Sequence, residues 1–326
     1  MSDYAYAAAR IKSLEAKIFG RSTYENLLEA APEGIVSFLG GAGYGGAGDG
    51  SGNDMDKLLE NEFASVLELV RSITPEEDRR LIDIFAEEYD FYNIGVFFRH
   101  AAAGREVREK ELSRLGRIDP DIIRQSLAGA GNAPDLPEPF SSIVQKHRDT
   151  DGDDAVSSVE KAKWEYFLEV TRGNAFMNKL TVMMIDLVNI RNFLNARTFS
   201  VEESVFTSQV VPGGRIGRDT FRENYGMPPE NFVRYLELTD YSSMSAGLMQ
   251  AVTVQQGRER LWAIPVICDN YLAGYLREVS RDEYFSIEPL VGYIFLKKQE
   301  AACLRSVWVG KRNGLGREEI KERISV

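Results

Sequence analysis

The residues with the clearest potential for chemistry are two repeated polar motifs. Asp90-x-x-Asn93-Ile and Asp186-x-x-Asn189-Ile are each followed by large apolar residues and by arginine. On a helix, side chains three positions apart share a face, so each motif could present a carboxylate and an amide together. A degraded third copy near the C-terminal end has Glu300 in place of Asp. The candidate partner-binding residues are therefore Asp90, Asn93, Arg99, Asp186, Asn189, Arg191, Arg197, Glu300 and Arg305.

These side chains admit two interpretations. They could line a surface that binds a partner, or they could be polar links by which one part of the fold grips the next and satisfies its backbone groups. General acid–base catalysis would need two carboxylates that converge, and a single repeated Asp does not supply them. In the third copy Cys303 also replaces the Asn, so we expect that copy to make contacts that the other two lack.

Other motifs that could bind a ligand are weak. Residues 41–46 match G-x-G-x-x-G, but they follow a helical pattern rather than a strand, which favours a loop over a nucleotide site. The acidic run 149–153 lacks the ligand order of a calcium loop, and neither His100 nor His147 has a partner at ligand spacing. Cys268 and Cys303 are predicted to be core residues. We therefore expect no catalytic residue, no metal and no cofactor.

Composition narrows the class of protein. The 326 residues are 44% hydrophobic and carry a net charge of -11, which argues against nucleic acid as the main partner. The two cysteines do not form a disulfide framework, which predicts a cytoplasmic compartment, and the N-terminal residues do not resemble a signal segment. The most apolar window, 261–276, contains Pro265, Asp269 and Asn270, so we expect no direct membrane insertion.

The elements that must position the motifs are predicted to be helices throughout. Apolar residues recur at helical spacing from the N-terminal end onward, as at Ile11, Leu14 and Ile18. A hydroxyl residue with Glu three positions later is typical of a helix start. This pattern occurs at Ser22, Thr74, Ser157, Ser200 and Ser280. The predicted fold class is therefore all-α.

The polar motifs also reveal an internal repeat. The two Asp residues are 96 positions apart, and Gly-Arg-Ile recurs 98 positions apart, at Gly116 and at Gly214. A short capped helix is predicted to open each repeat and a long helix with the motif to close it. This pattern predicts three similar units, 1–115, 116–213 and 214–326, related by pseudo-threefold symmetry or stacked as a short solenoid.

In their order and spacing these motifs resemble a known family. The similarity lies in the run Tyr4–Ile11, the two Asp-x-x-Asn helices, and the stretch from Pro289 to Ile324 with Glu300, Leu304-Arg305 and Gly314-Leu315. These features are similar to the C subunits of the prokaryotic, archaeal-type V-type ATPases, and to the d subunits of the eukaryotic V-type ATPases. The resemblance covers nearly the whole chain. Its departures are Glu300, Cys303 and the long glycine-rich loop 40–53.

The resemblance implies a non-catalytic rotor subunit whose three helical units form a funnel with pseudo-threefold symmetry. Such a protein accepts the tip of the central stalk, made of D- and F-type subunits, and rests on the proteolipid ring of the membrane sector. It transmits torque between ATP turnover and proton or sodium translocation, and it reaches the cytoplasmic face of the membrane only through protein partners. Arg99, Arg191 and Arg197 then become candidates for contacts with the stalk.

Two other classes of protein stay open at this point. A helical-repeat adaptor unrelated to a rotary motor would share the repeat but bind different partners. An all-helical enzyme would need a pocket in which reactive groups converge.

Overall fold

The computed structural model describes residues 4–44, 54–128, 136–147, 152–253 and 260–324. Within those ranges the chain forms sixteen α-helices and no strand, which confirms the all-α prediction. The helices are α1 (Tyr4–Glu15), α2 (Arg21–Glu29), α3 (Pro32–Gly41), α4 (Met55–Ile73), α5 (Arg79–Ala102), α6 (Pro120–Ala128), α7 (Phe140–His147), α8 (Gly152–Thr171), α9 (Ala175–Thr198), α10 (Glu203–Gln209), α11 (Arg218–Tyr225), α12 (Pro229–Leu236), α13 (Ser242–Val252), α14 (Ala263–Ser280), α15 (Glu288–Arg312) and α16 (Arg317–Lys321). Most of the glycine-rich loop and of the acidic run lies outside the described residues.

Two of the five predicted helix starts are wrong. Ser157 lies inside α8, and Ser280 is the last residue of α14. At the other three positions helical structure begins nearby, after the cap residues Gly20, Pro75 and Glu202, and none of these caps uses a side-chain hydrogen bond. A hydroxyl residue three positions before Glu also occurs on solvated helix faces, so this pattern alone does not fix a helix start.

The chain divides into two compact units. The first unit consists of Met1–Arg79 and Pro229–Val326. Its central element is α15, which packs against α1, α4 and α14. Beside α15 lies a buried apolar cluster that includes Leu27, Ile35, Leu58 and Leu304. Removal of these side chains from water is the main force that holds α2 and α3 onto the long helix.

The second unit is Arg80–Pro228. Within it α8 packs along α9, and aromatic rings fill the core. The ring centroid of Phe91 lies 4.8 Å from that of Phe140. Farther along the chain, Phe193 lies 5.6 Å from Phe206 and 5.7 Å from Phe221. Close ring packing of this kind gives each helix one preferred position against its neighbours.

The three longest helices carry the three polar motifs. They are α5 and α9, each of 24 residues, and α15, of 25 residues. Asp90 and Asp186 are fully buried and Glu300 is 3% exposed. A buried carboxylate must be compensated by hydrogen-bond donors or by a cation, so each motif requires a specific partner. The division into three units and their funnel-shaped arrangement stay predictions.

Candidate functional site

Asp90 and Asn93 bind the chain that follows α5. The two carboxylate oxygens of Asp90 accept the backbone N–H groups of Arg117 and Ile118, both at 3.0 Å. The Asn93 side chain donates to the carbonyl of Ser113 at 2.8 Å and accepts the N–H of the same residue at 2.9 Å. Together they hold residues 113–118, the first turn, against the helix.

Asp186 and Asn189 make the same contacts in the second repeat. Asp186 accepts the backbone N–H groups of Arg215 and Ile216, both at 3.0 Å. Asn189 donates to the carbonyl of Val211 at 2.8 Å and accepts its N–H at 2.9 Å. Residues 211–216, the second turn, are therefore held against α9 as the first turn is held against α5.

These contacts explain the recurring Gly-Arg-Ile sequence. A Cβ on Gly116 would lie 2.9 Å from Cγ of Asp90, and a Cβ on Gly214 would lie 3.0 Å from Cγ of Asp186. Both positions need glycine because the turn backbone lies directly on the carboxylate. The Arg and Ile that follow supply the two N–H groups through their backbone, whatever their side chains do.

Two acidic and two basic side chains surround the carboxylate of Asp90. The Arg117 guanidinium binds the carboxylate of Asp83 and lies 3.8 Å from that of Glu87. Arg80 donates to Glu87 at 2.7 Å, and the Tyr166 hydroxyl donates to the other oxygen of Glu87 at 3.2 Å. Both arginines thus bind carboxylates other than the one that holds the turn.

The pKa of Asp90 reflects this environment. Burial raises its pKa from 3.8 to about 6, although the N–H groups of Ile118 and Arg117 and the positive charge of the Arg117 side chain oppose that rise. The nearby negative charge of Glu87 adds to the rise, because two carboxylates one helical turn apart repel each other when both are ionised. Asp90 therefore titrates closer to neutral pH than an ordinary aspartate.

Glu300 makes a related contact with different donors. One carboxylate oxygen accepts the backbone N–H of Phe19 at 2.7 Å, and Phe19 lies 281 positions away in the sequence. The other oxygen accepts the Tyr44 hydroxyl and, at 2.5 Å, the ammonium of Lys297. Lys297 also donates to the Tyr44 hydroxyl at 2.9 Å and pairs with Glu62 at 2.8 Å. Side chains thus replace the second backbone donor.

The charges at Glu300 are arranged as a buried ionic network. Burial raises the pKa of the Tyr44 hydroxyl, and the negative charge of Glu300 raises it further, so the tyrosine stays neutral. Burial acts to lower the pKa of Lys297, but Glu300 and Glu62 outweigh this effect and the pKa is raised. The ammonium also lies 4.6 Å from the centroid of the Tyr44 ring. Lys297 is therefore the cation that makes burial of Glu300 tolerable.

The candidate arginines differ in their surroundings. Arg99 is exposed in the last turn of α5, and Arg191 is partly buried on α9. Arg197 donates to the carbonyl of Met227 at 2.9 Å and lies over a tyrosine ring, at 5.0 Å from its centroid. Arg305 forms an exposed ion pair of 2.8 Å with an aspartate of α4. Two of the four arginines thus have partners within their own unit.

The arrangement of the polar motifs is suited to holding polypeptide rather than to converting a substrate. In the described ranges, no group of three or more His, Cys, Asp and Glu side chains could hold a metal ion. His100 lies 3.3 Å from the carboxylate of Glu111, and Cys268 and Cys303 are buried and not in a disulfide. No helix among the described residues is long and apolar enough to cross a membrane.

Several residues of these sites were missed by sequence reasoning. They are Ser113, Gly116, Val211 and Gly214 of the two turns, and Phe19, Tyr44, Glu62 and Lys297 around Glu300. The repeated Gly-Arg-Ile carried a signal for the turns, because it recurs at nearly the same spacing as the Asp residues. Lys297 precedes Glu300 by three positions, so its proximity on a helix could also have been inferred.

The family model and the similar proteins all point to the C subunits of A-type and V-type ATPases. A family described as ATP synthase (C/AC39) subunit matches residues 7–323. The C subunit of the A-type ATP synthase of Methanocaldococcus jannaschii is 23% identical, with 98% of this chain and 86% of that protein covered. The corresponding A-type C subunit of Methanosarcina barkeri is 22% identical, with 100% and 93% covered. The C subunit of the V-type sodium ATPase of Enterococcus hirae is 21% identical, with 85% and 83% covered.

Proposed function

The chain belongs to the ATP synthase (C/AC39) subunit family, and we propose that it is the rotor subunit that links the central stalk to the proteolipid ring. As a member of this family it is the non-catalytic C subunit of a V/A-type ATPase complex. In the proposed role it receives the tip of a stalk made of D- and F-type subunits on one face. Its other face rests on the ring, at the cytoplasmic side of the membrane, and it carries torque between the two.

The observation that carries this proposal is the family match over residues 7–323, together with relatives covered over most of their length. A match over nearly the whole chain supports a role for the whole body rather than for one module. The family match also argues against the alternative that the chain is an adaptor unrelated to a rotary motor. The name of the Enterococcus hirae relative mentions sodium, whereas the archaeal relatives are named ATP synthase subunits, so the names leave both coupling ions open.

The packing within each unit supports a mechanical role. A part that transmits torque must not deform under load, so contacts that fix long helices are useful to it. In the second unit, α5 and α9 are each fixed to a following turn by four hydrogen bonds from one Asp and one Asn. In the first unit, α15 is fixed to the N-terminal segment through Glu300. Such contacts stiffen each unit without any reactive group.

Among the nine candidate residues, Arg99 is the one we assign first to a partner contact. It is exposed, and it lies in the last turn of α5, where basic residues also complement the helix dipole. An exposed arginine suits a carboxylate or a helix C-terminus on the stalk tip. Arg191 is second, since it is partly buried. Arg197 and Arg305 already have partners inside the chain, and the buried Asp, Asn and Glu residues shape the body that presents the arginines.

Binding experiments test the proposal directly. The full chain is immobilised, and the purified D–F stalk complex and the detergent-solubilised proteolipid ring are applied separately. We expect both to bind in a saturable manner. If neither the stalk complex nor the ring binds, the rotor role is wrong.

A charge reversal tests the contact residue. Arg99→Glu should weaken stalk binding by roughly tenfold and leave ring binding unchanged, because an interfacial arginine would become a repelling carboxylate. Arg172→Glu, a reversal at another exposed arginine of the second unit, is the matched control and should have no effect. Equal losses for Arg99→Glu and Arg172→Glu would show that Arg99 is not the contact, while the rotor role would still stand on the binding of the unmodified chain.

A further inference from the structure

The stretch from the last turn of α5 into the first turn is basic, although the chain as a whole is acidic. Residues 99–117, which we call the basic segment, contain six basic and three acidic side chains, a net charge of +3, whereas the whole chain carries -11. The corresponding positions of the second repeat, 195–213, contain one basic and two acidic side chains. The positive charge therefore distinguishes the first repeat from the second.

Contacts around His100 fix the backbone of the basic segment. The His100 ring lies 3.3 Å from the carboxylate of Glu111, and the His100 carbonyl accepts the backbone N–H of Arg105 at 2.9 Å. Glu111 also accepts the backbone N–H and the guanidinium of Arg108. Gly104 has a φ of 59°, which lets the chain reverse directly after α5. A segment that is already held in place loses less conformational entropy when a partner binds.

Two of the three carboxylates in the basic segment are already bound to cations of the chain. Glu109 pairs with Arg114 at 3.4 Å and with Arg124 at 2.7 Å. Glu111 pairs with Arg108 at 2.8 Å. These two carboxylates are thus committed, and they do not neutralise the other cations of the segment.

Three cations of the basic segment are left for a partner. Arg99, Arg105 and Lys110 are exposed, and none of them forms an ion pair with another residue that the structure describes. All three lie on the stretches of backbone that meet at His100. The C-terminal end of a helix contributes about half a negative charge, and the exposed Glu106 adds one more. The three positive charges outweigh both.

We propose that the basic segment is a docking surface for an acidic segment of a protein partner, and that Arg99, Arg105 and Lys110 bind its carboxylates. The inference rests on the proposed rotor function, in which the partner is the tip of the D–F stalk. Guanidinium and ammonium groups bind carboxylates through charge-assisted hydrogen bonds. Opposite charges on the two surfaces also speed the encounter and orient the stalk before the final contacts form.

The composition of the basic segment favours a protein partner over an anionic membrane surface. Segments that bind at a membrane surface combine basic residues with large apolar side chains that enter the lipid. The structure describes all of residues 99–117, and no large apolar side chain is exposed among them. Their exposed apolar residues are Ala101, Ala102 and Ala103. An acidic protein surface needs no apolar anchor of this kind.

Binding of the purified D–F stalk complex to the immobilised full chain, measured at low and at high salt, tests the proposal. The double variant Arg105→Glu/Lys110→Glu should weaken binding at low salt by about tenfold or more, because attraction becomes repulsion. It should also reduce the affinity that is lost when salt is added, because salt screens exposed charges. Arg218→Glu/Arg222→Glu makes the same change of charge at two exposed arginines of α11 and should alter neither readout.

The outcomes separate this proposal from the rotor role. If the first double variant binds the stalk as tightly as the unmodified chain, or if both double variants lose equally, the basic segment is not the docking surface. The rotor role would then still stand on binding of the unmodified chain. If the unmodified chain does not bind the stalk, the stalk contact of the proposed function fails and this inference fails with it.

Cross-linking with a carbodiimide, which joins an amine to a carboxylate in direct contact, checks the contact in the unmodified chain. Lys110 should be joined to an aspartate or glutamate of the stalk complex, and Arg105→Lys, which keeps the charge, should add a second link. Lys146, an exposed lysine of α7, is the control and should not be joined. Absence of a stalk link at Lys110, together with binding to phosphatidylglycerol vesicles that the first double variant abolishes, would assign the surface to a membrane and contradict the proposal.

Discussion

The carboxylates of α5 and α9 and the carboxylate of α15 hold distant parts of the chain in two different ways. Asp90 and Asp186 bind two consecutive backbone N–H groups that follow 27 to 30 positions later. Glu300 binds one backbone N–H of a segment 281 positions away and completes its contacts with Tyr44 and Lys297. The first arrangement is local and uses neutral donors, whereas the second joins remote segments and depends on a buried ion pair.

One position on each long helix accounts for much of this difference. Three residues before the carboxylate, α5 has Glu87, α9 has Met183 and α15 has Lys297. This residue lies on the same helix face as the carboxylate. An acidic neighbour makes ionisation of Asp90 costly, an apolar neighbour is electrostatically silent, and a basic neighbour supplies a counter-ion. The three long helices thus share a buried carboxylate but differ in the charge of the residue three positions before it.

The largest expected loss of stability follows from removal of the counter-ion of Glu300, Lys297. Lys297→Met would leave Glu300 and Glu62 buried or half-buried with no cation between them. The free energy of unfolding should fall by about 3–5 kcal/mol, the cost of breaking a buried ion pair by removing one partner. Urea denaturation of the purified chain at pH 7.5 measures this change.

Lys163→Met provides the matched control. Lys163 is 8% exposed and Lys297 is 7% exposed, but the partner of Lys163 is Glu160, whose side chain is 39% exposed. Its loss should cost less than about 1 kcal/mol, since water can solvate the glutamate. A cost for Lys297→Met no larger than that of the control would show that the network at Glu300 is not what holds the N-terminal segment.

The two asparagines allow a smaller and finer comparison. Asn189→Ala should lower the free energy of unfolding by about 2–3 kcal/mol, because both backbone groups of Val211 would stay buried without a partner. Asn93→Ala should cost about 1–2 kcal/mol, because Ser113 is less buried and water can replace the amide.

Urea denaturation followed by a probe in the second unit measures both variants. The order of the two costs is the informative result. If Asn93→Ala were the more damaging change, burial of the turn would not be the factor that sets the cost.

Much of this design could be predicted from the sequence, in particular the helices and the two repeated motifs. Helical periodicity and the Asp-x-x-Asn spacing involve residues close together in the sequence. They can therefore be recognised without knowing which distant segments pack against each other. The interpretation of the motif as a polar link that satisfies backbone groups also agrees with the contacts of Asp90 and Asp186. The recurrence of Gly-Arg-Ile was visible, but nothing in the spacing showed that its amides would meet the Asp.

The contacts of Glu300 could not be predicted in the same way. Tyr44 and Phe19 lie 256 and 281 positions from Glu300 in the sequence. No local pattern specifies which of many tyrosines meets a buried glutamate, because that choice depends on how α1, α3 and α4 pack against α15. The helix start predicted at Ser157 failed because the same local pattern also occurs inside helices, and α8 already begins at Gly152.

Three of the glycines that precede arginine, Gly116, Gly214 and Gly20, test the comparison at the level of single atoms, and the smallest effect of all is expected at Gly20. Gly116→Ala and Gly214→Ala should each lower the free energy of unfolding by about 1–3 kcal/mol, because the new methyl group would force the turn off the carboxylate. Gly20 precedes Arg21 in the same way, but a Cβ there would have no heavy atom within 4 Å.

Gly20→Ala should therefore change the free energy of unfolding by less than about 0.5 kcal/mol, apart from a slightly poorer helix cap. Thermal and urea unfolding of the three variants, measured side by side, separates the two kinds of contact. In the first two repeats the backbone itself lies on the carboxylate, so even one methyl group is too many. Near Glu300 one backbone N–H also binds the carboxylate, but side chains supply the other donors, and a Cβ on Gly20 would have open space around it. Equal losses at all three glycines would mean that the third contact is built like the other two.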